Sequence, residues 1–184
     1  MPKRCSWVRE KNPLYVAYHD EEWGRPCHTD QALFELLVLE SFQAGLSWET
    51  VLNKREAFRQ AFHKFDIDQV AAMTDEDLEA LLVNPAIIRH RGKLWAARTN
   101  AQLVQRLQQE FGSFDAYVWS WVDGQTRFGD VPDYRQVPAQ TPLSQALSKD
   151  LKKRGSSFTG PTTMQSFLQA AGLLNDHEKA CDFK

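Results

Sequence analysis

The sequence predicts an all-α protein. Apolar residues recur at helical spacing along most of its 184 residues. Helix-capping residues precede the apolar runs, and no convincing strand, internal repeat or low-complexity tract interrupts them. Gly and Pro mostly fall between the periodic runs.

Thr29 or Asp30 caps the first long helix, whose Leu33, Phe34, Leu36, Leu37, Val38 and Leu39 are dense enough to be buried on most sides. It ends near Ala44-Gly45. Ser47 caps a helix from Trp48 to about Phe62, with Val51, Leu52, Phe58 and Phe62 inward. Asp66 opens a short helix through Val70 and Met73. Thr74 with Asp77 forms a capping-box pattern ahead of Leu78, Leu81 and Leu82. Asn84-Pro85-Ala86 breaks the chain before Ile87-Ile88 and a long helix from about Arg91 to Phe111. Ser113 caps a helix carrying Tyr117, Val118, Trp119 and Val122. Residues 123–141 hold Gly124, Gly129, Pro132 and Pro138 and read as a long loop or arm. Pro142 suits a first helical turn, and that helix ends at Gly155; Pro161 opens the last main helix, which ends at Gly172.

Composition narrows the class. A chain 42% hydrophobic and 25% charged is globular and soluble in character. No run approaches the roughly 18 apolar residues of a membrane span. The polar start MPKRCSWVREK carries no signal-peptide core, so a cytoplasmic protein is expected. Three cysteines suit metal binding better than a disulfide framework. No exposed heptad or apolar stripe marks an oligomer, and a monomer is expected. The net charge of −2 leaves any nucleic-acid contact to local basic patches. There are two: Arg89, His90, Arg91 and Lys93, then Lys149, Lys152, Lys153 and Arg154. The ordinary alternative for each is a solvated helix face.

Four constellations carry candidate chemistry. Cys5 and His19 near one end, with His177 and Cys181 near the other, offer thiolate and imidazole ligands of the kind that close a tetrahedral zinc site. Cys27-His28 is also available, so spacing alone does not fix the set. The break at residues 78–93 makes a helical hairpin whose second helix presents free backbone N–H groups and basic side chains, a suitable seat for a DNA phosphate. Glu40 stands in an otherwise apolar helix, where a carboxylate needs a partner or a cationic ligand. Trp7, Tyr15, Tyr18, Trp23 and Trp48 are core candidates that also suit the stacking walls of a nucleobase pocket.

Taken together, the chain resembles the 3-methyladenine DNA glycosylase I family. The resemblance rests on CSWV at 5–8, PLYVAYHDEEWG at 13–24, LFELLVLESFQAGLSWETVLNKREAFRQAF at 33–62, IIRHRGK at 87–93, ALSKDLKKRG at 146–155 and GPTTMQSFLQAAGLLNDH at 160–177. It implies a helix-hairpin-helix DNA glycosylase fold, with the hairpin core at about 30–112. Segments 1–29 and 113–184 would form a subdomain tethered by a structural zinc on Cys5, His19, His177 and Cys181, the whole acting as one unit over 1–184. It implies base excision repair: hydrolysis of the N-glycosidic bond of 3-methyladenine in alkylated double-stranded DNA. Glu40 would read the flipped base, with Tyr15, Tyr18 and Trp48 around it; the N-terminal aromatic density adds Trp7 and Trp23 as candidates for the same wall. Ala86, Ile87, Arg89, Arg91 and Lys93, with Gly45 and Leu46, would meet the DNA. Ala86 departs from the Gly often found at that turn, which would lower DNA affinity if the turn required positive φ. The Ser156-Ser157-Phe158 loop is less aromatic than the family pattern.

Overall fold

The computed structural model describes residues 1–184. Ten α-helices dominate: α1 Pro13–Ala17, α2 Asp30–Gln43, α3 Trp48–Asn53, α4 Arg55–Ala61, α5 Ile67–Ala71, α6 Asp75–Leu81, α7 Arg91–Phe111, α8 Phe114–Ser120, α9 Pro142–Lys153 and α10 Pro161–Ala170. The centre is α2, in which every residue from Leu33 to Phe42 is buried. α7 packs along α5 and α8, while α10 bridges α9 and α2. No helix is long and apolar enough to cross a membrane.

Local chemistry sets most boundaries as expected. The Ser47 and Ser113 hydroxyls cap α3 and α8, and Thr74 with Asp77 closes a full capping box on α6. Pro142 and Pro161 open α9 and α10. Other boundaries differ. Thr29 occupies the N-cap position of α2 without a side-chain bond. The Asp30 carboxylate instead accepts the Phe114 and Asp115 amides at the start of α8. The expected helix from Trp48 to Phe62 breaks at Lys54, whose backbone (φ −100°, ψ 2°) leaves the helical region. Beyond the break Arg55 and Arg59 face Glu35.

Two features lie outside the elements expected from the sequence. A two-residue parallel pair, β1 Arg127–Phe128 with β2 Leu174–Asn175, ties the 123–141 arm to the segment after α10. At the other end, Asn12 caps α1 and a π-helical turn, Tyr18–Glu22, continues it. Asn12-Pro13 is the signal that marks this N-terminal helix. Gly172, at φ +76°, lies so close to the Arg25 carbonyl that a Cβ would overlap it.

Candidate active site and metal centre

The aromatic residues and Glu40 converge on one cavity of about 180 Å³. That is below the roughly 300–1,000 Å³ of drug-sized clefts and suits a single ring system. α1 and its π turn bring Tyr15 and Tyr18, α2 brings Glu40 and Gln43, α3 brings Trp48, and the N-terminal segment brings Trp7 and Trp23. Tyr134 from the arm and Ser166 and Gln169 from α10 complete the wall. Gln43, Tyr134, Ser166 and Gln169 were not singled out from the sequence. Tyr134 sits in a segment without period, and the two α10 residues look like ordinary polar helix positions.

The rings meet at steep angles, tilted or edge to face, rather than lying flat on one another. Trp7 meets Trp23 at 4.8 Å between centroids and Tyr15 at 5.7 Å, while Tyr18 lies 5.1 Å from Trp48. The indole N–H groups of Trp7 and Trp48 are buried without a partner.

Glu40 is 4% exposed. Burial, and secondarily the charge of Glu22, push its carboxyl up to about 8. No cation offsets this, because Arg55 is engaged by both oxygens of Glu22 and by Glu35. A partnerless buried acid among aromatic rings favours a flat ligand that carries positive charge or N–H donors.

The four end residues also meet. Their ligand atoms lie within 4.8 Å of one another, and all four residues are buried. Cys5 Sγ to His177 Nδ1 is 3.5 Å, Cys181 Sγ to His177 Nδ1 is 3.4 Å and Cys181 Sγ to His19 Nε2 is 3.6 Å. Tetrahedral zinc with bonds of about 2.3 Å to sulfur and 2.0–2.1 Å to nitrogen sets S···N at roughly 3.6 Å, so the donors fit that ion. The other ring nitrogens are held: His19 Nδ1 by Asp20 at 2.7 Å and His177 Nε2 by the Trp23 carbonyl at 2.9 Å. Such outer bonds orient metal-binding imidazoles. Burial moves the His177 ring down to about 4, which keeps it neutral and ligand-ready. Cys27 and His28 stand apart; His28 bonds Asp115 and stacks on Trp119.

On the hairpin, Arg89 is exposed and without an ion pair, while Arg91 pairs with Glu79 and lies over Trp95. The Ala86 amide donates to Asn84 Oδ1 at 3.0 Å. Ala86 is not among the positive-φ residues, so its turn does not require Gly. Two assignments change. Ile87 is 2% exposed and packs in the core, so its side chain cannot reach DNA. Lys93 is 6% exposed, and its ammonium donates to the Phe42 and Ala44 carbonyls at 2.9 and 2.6 Å. It holds the end of α2 rather than a phosphate. Beyond that end, Gly45 (φ +79°) and exposed Leu46 form a projecting turn, with the Gln43 amide bonded to the Leu46 carbonyl. Through Lys93, Ala44 and Gln43 the hairpin helix adjoins the cavity.

An all-α protein with an acid-floored aromatic cavity beside a helical hairpin belongs to the class built to enclose one nucleobase. The chain is a member of the methyladenine glycosylase family, whose sequence model matches residues 7–184. It is 47% identical, over 100% of its length and 99% of the relative's, to the DNA-3-methyladenine glycosylase of Haemophilus influenzae. It superposes on a crystal structure of 3-methyladenine DNA glycosylase I with a TM-score of 0.94 at 50% identity, covering 98% of each chain. A variant of a 3-methyladenine DNA glycosylase I, crystallised in complex with 3-methyladenine, matches with a TM-score of 0.92 at 42% identity over 95% of this chain and 94% of that one.

Proposed function

We propose that this protein is a monofunctional DNA glycosylase of base excision repair, hydrolysing the N-glycosidic bond of 3-methyladenine in alkylated double-stranded DNA. The observation that carries the reading is Glu40: a buried carboxyl with no protein cation, set among aromatic rings.

Methylation at N3 gives the purine a positive charge, and a damaged base leaves the stack at lower cost than a normal one. Tyr18 and Trp48 offer faces for stacking and cation–π attraction. Glu40 accepts from the base N–H groups, with Tyr15, Trp7 and Trp23 enclosing the ring. The bond from C1′ to the base breaks with its electron pair going to the base, which neutralises the cation. Water adds at C1′ and releases a proton. Since the leaving group is already charged, little activation of water is required. No lysine lines the cavity, in keeping with the absence of a Schiff-base step.

DNA is held by Arg89 and Arg91, the Ala86 turn, and Gly45 and Leu46 beside the opening. The helix-hairpin-helix core at about 30–112 supplies that surface, and segments 1–29 and 113–184 supply most of the cavity wall. Zinc on Cys5, His19, His177 and Cys181 is structural, since four protein ligands leave no position for water. This argues against a zinc hydrolase. The protein works in the cytoplasm as a monomer.

The test is release of 3-methyladenine from methylated DNA. Wild-type protein releases the base, and Glu40→Gln slows release at least tenfold. An inactive wild type would make this a DNA-binding module that has kept the fold.

A further inference from the structure

Two residues of the cavity wall and one behind it form one hydrogen-bonded chain. The Tyr134 hydroxyl donates to Gln169 Oε1 at 3.0 Å. Gln169 Nε2 donates to Asp176 Oδ2 at 2.8 Å. Tyr134 and Gln169 line the cavity, whereas Asp176 stands behind them and is 8% exposed. Its carboxylate fits because position 129 is Gly; a Cβ there would overlap Asp176 Oδ1.

The direction of these bonds follows from donor and acceptor chemistry. A carboxylate only accepts, so the Gln169 amide turns its nitrogen to Asp176 and its oxygen to Tyr134. The single Tyr134 hydrogen is thereby committed. What this hydroxyl offers the cavity is a lone pair. Tyr15 and Tyr18 have no such constraint, since no protein group hydrogen-bonds either hydroxyl. Their hydroxyls can turn to donate or accept. The Tyr134 ring is itself fixed, lying 5.9 Å from both Trp7 and Trp23, with its backbone amide bonded to Glu178 at 2.8 Å.

We infer that Tyr134 is a specificity-determining residue that accepts a hydrogen bond from the 6-amino group of the flipped purine and disfavours a 6-oxo purine, with Gln169 and Asp176 as the positioning residues that set its polarity. An amino group finds an acceptor there. A carbonyl oxygen meets a lone pair and leaves both groups unpaired in a buried site, the condition under which polar recognition discriminates strongly. The inference rests on the glycosylase reading above and extends it from a charge preference to a choice between methylated adenine and methylated guanine.

The experiment measures release of 3-methyladenine and 3-methylguanine from the same methylated duplex. Wild-type protein sets the reference ratio, and its failure to release either base would count against the glycosylase reading itself. Tyr134→Phe keeps the ring and removes the acceptor, and lowers the preference for 3-methyladenine about tenfold. Asp176→Ala frees the Gln169 amide to turn and lowers the preference similarly, with the relative rate on 3-methylguanine raised. Asp176→Asn keeps an acceptor oxygen for Gln169 and restores the wild-type ratio. A folded Tyr134→Phe with an unchanged ratio overturns the proposal, as does equal loss on both bases in Tyr134→Phe and Asp176→Ala. If Asp176→Ala does not fold, the Tyr134→Phe ratio decides alone.

Discussion

The Lys93 ammonium lies 2.6 Å from the Ala44 carbonyl oxygen, inside the protein, although Arg89, His90 and Arg91 just before it are exposed. It also bonds the Phe42 carbonyl, so two carbonyls at the end of α2 depend on it. Lys93→Met removes both bonds and lowers stability by about 2 kcal/mol, measured by urea unfolding. The dependence of DNA affinity on salt separates this role from phosphate binding. Arg89→Ala reduces the slope of log affinity against log salt by about 1, whereas Lys93→Met leaves it unchanged. An altered slope for Lys93→Met would return that side chain to the DNA.

Glu40 gives a signed pH effect. Its carboxyl is held up to about 8 in the fold, against an ordinary 4.5. Between these values the native state keeps a proton that the unfolded chain has released. Stability therefore falls as pH rises from about 4.5 to about 8. Glu40→Gln removes that slope and is more stable than wild type at pH 8, by a few kcal/mol at most. Excision moves oppositely in the wild type, rising towards pH 8 as the carboxylate forms. Parallel unfolding curves at pH 5 and pH 8 for the two proteins would contradict this account.

If the four-residue cluster holds structural zinc, metal analysis of purified protein should find one zinc ion per chain, and Cys181→Ser should lose it. The variant melts at lower temperature, and so does wild type after chelation. A chelated protein that keeps its melting temperature and loses only activity would make the metal catalytic.

Trp48 lies against Tyr18 at the cavity wall, the two rings tilted by 45°. Base stacking on an aromatic contributes about 1–3 kcal/mol. Trp48→Ala thus weakens binding of 3-methyladenine by roughly tenfold to a hundredfold, and Trp48→Phe recovers most of it. Titration calorimetry with the free base reads this directly.

Some of this architecture was legible because it depends on local chemistry. Thr74 and Asp77 sit three apart and cap α6 as that spacing requires. The dense apolar run ahead of Glu40, Leu36 to Leu39, announced a buried helix, and with it a buried acid. Direction was not legible. Arg89 and Lys93 belong to one basic run, yet one side chain is exposed and the other turns into the end of α2, a fact fixed only by tertiary packing. Ile87 is buried for the same reason. Tyr134 and Gln169 were hidden because their pairing, 35 positions apart, leaves no periodic trace.

The bonds of the end clasp span extreme separations: 172 positions from Cys5 to His177 and 162 from His19 to Cys181. Closing such loops costs chain entropy before any contact is gained, which places them late in folding. The wall bearing Tyr15 and Tyr18 is then among the last parts to assemble and the first to part under mild heating or metal loss. A chain in that state still has α2 packed on α7 and α8, but it has no closed seat for a base. Loss of excision should therefore precede loss of helix, and an inactive sample can look folded by its helical content alone.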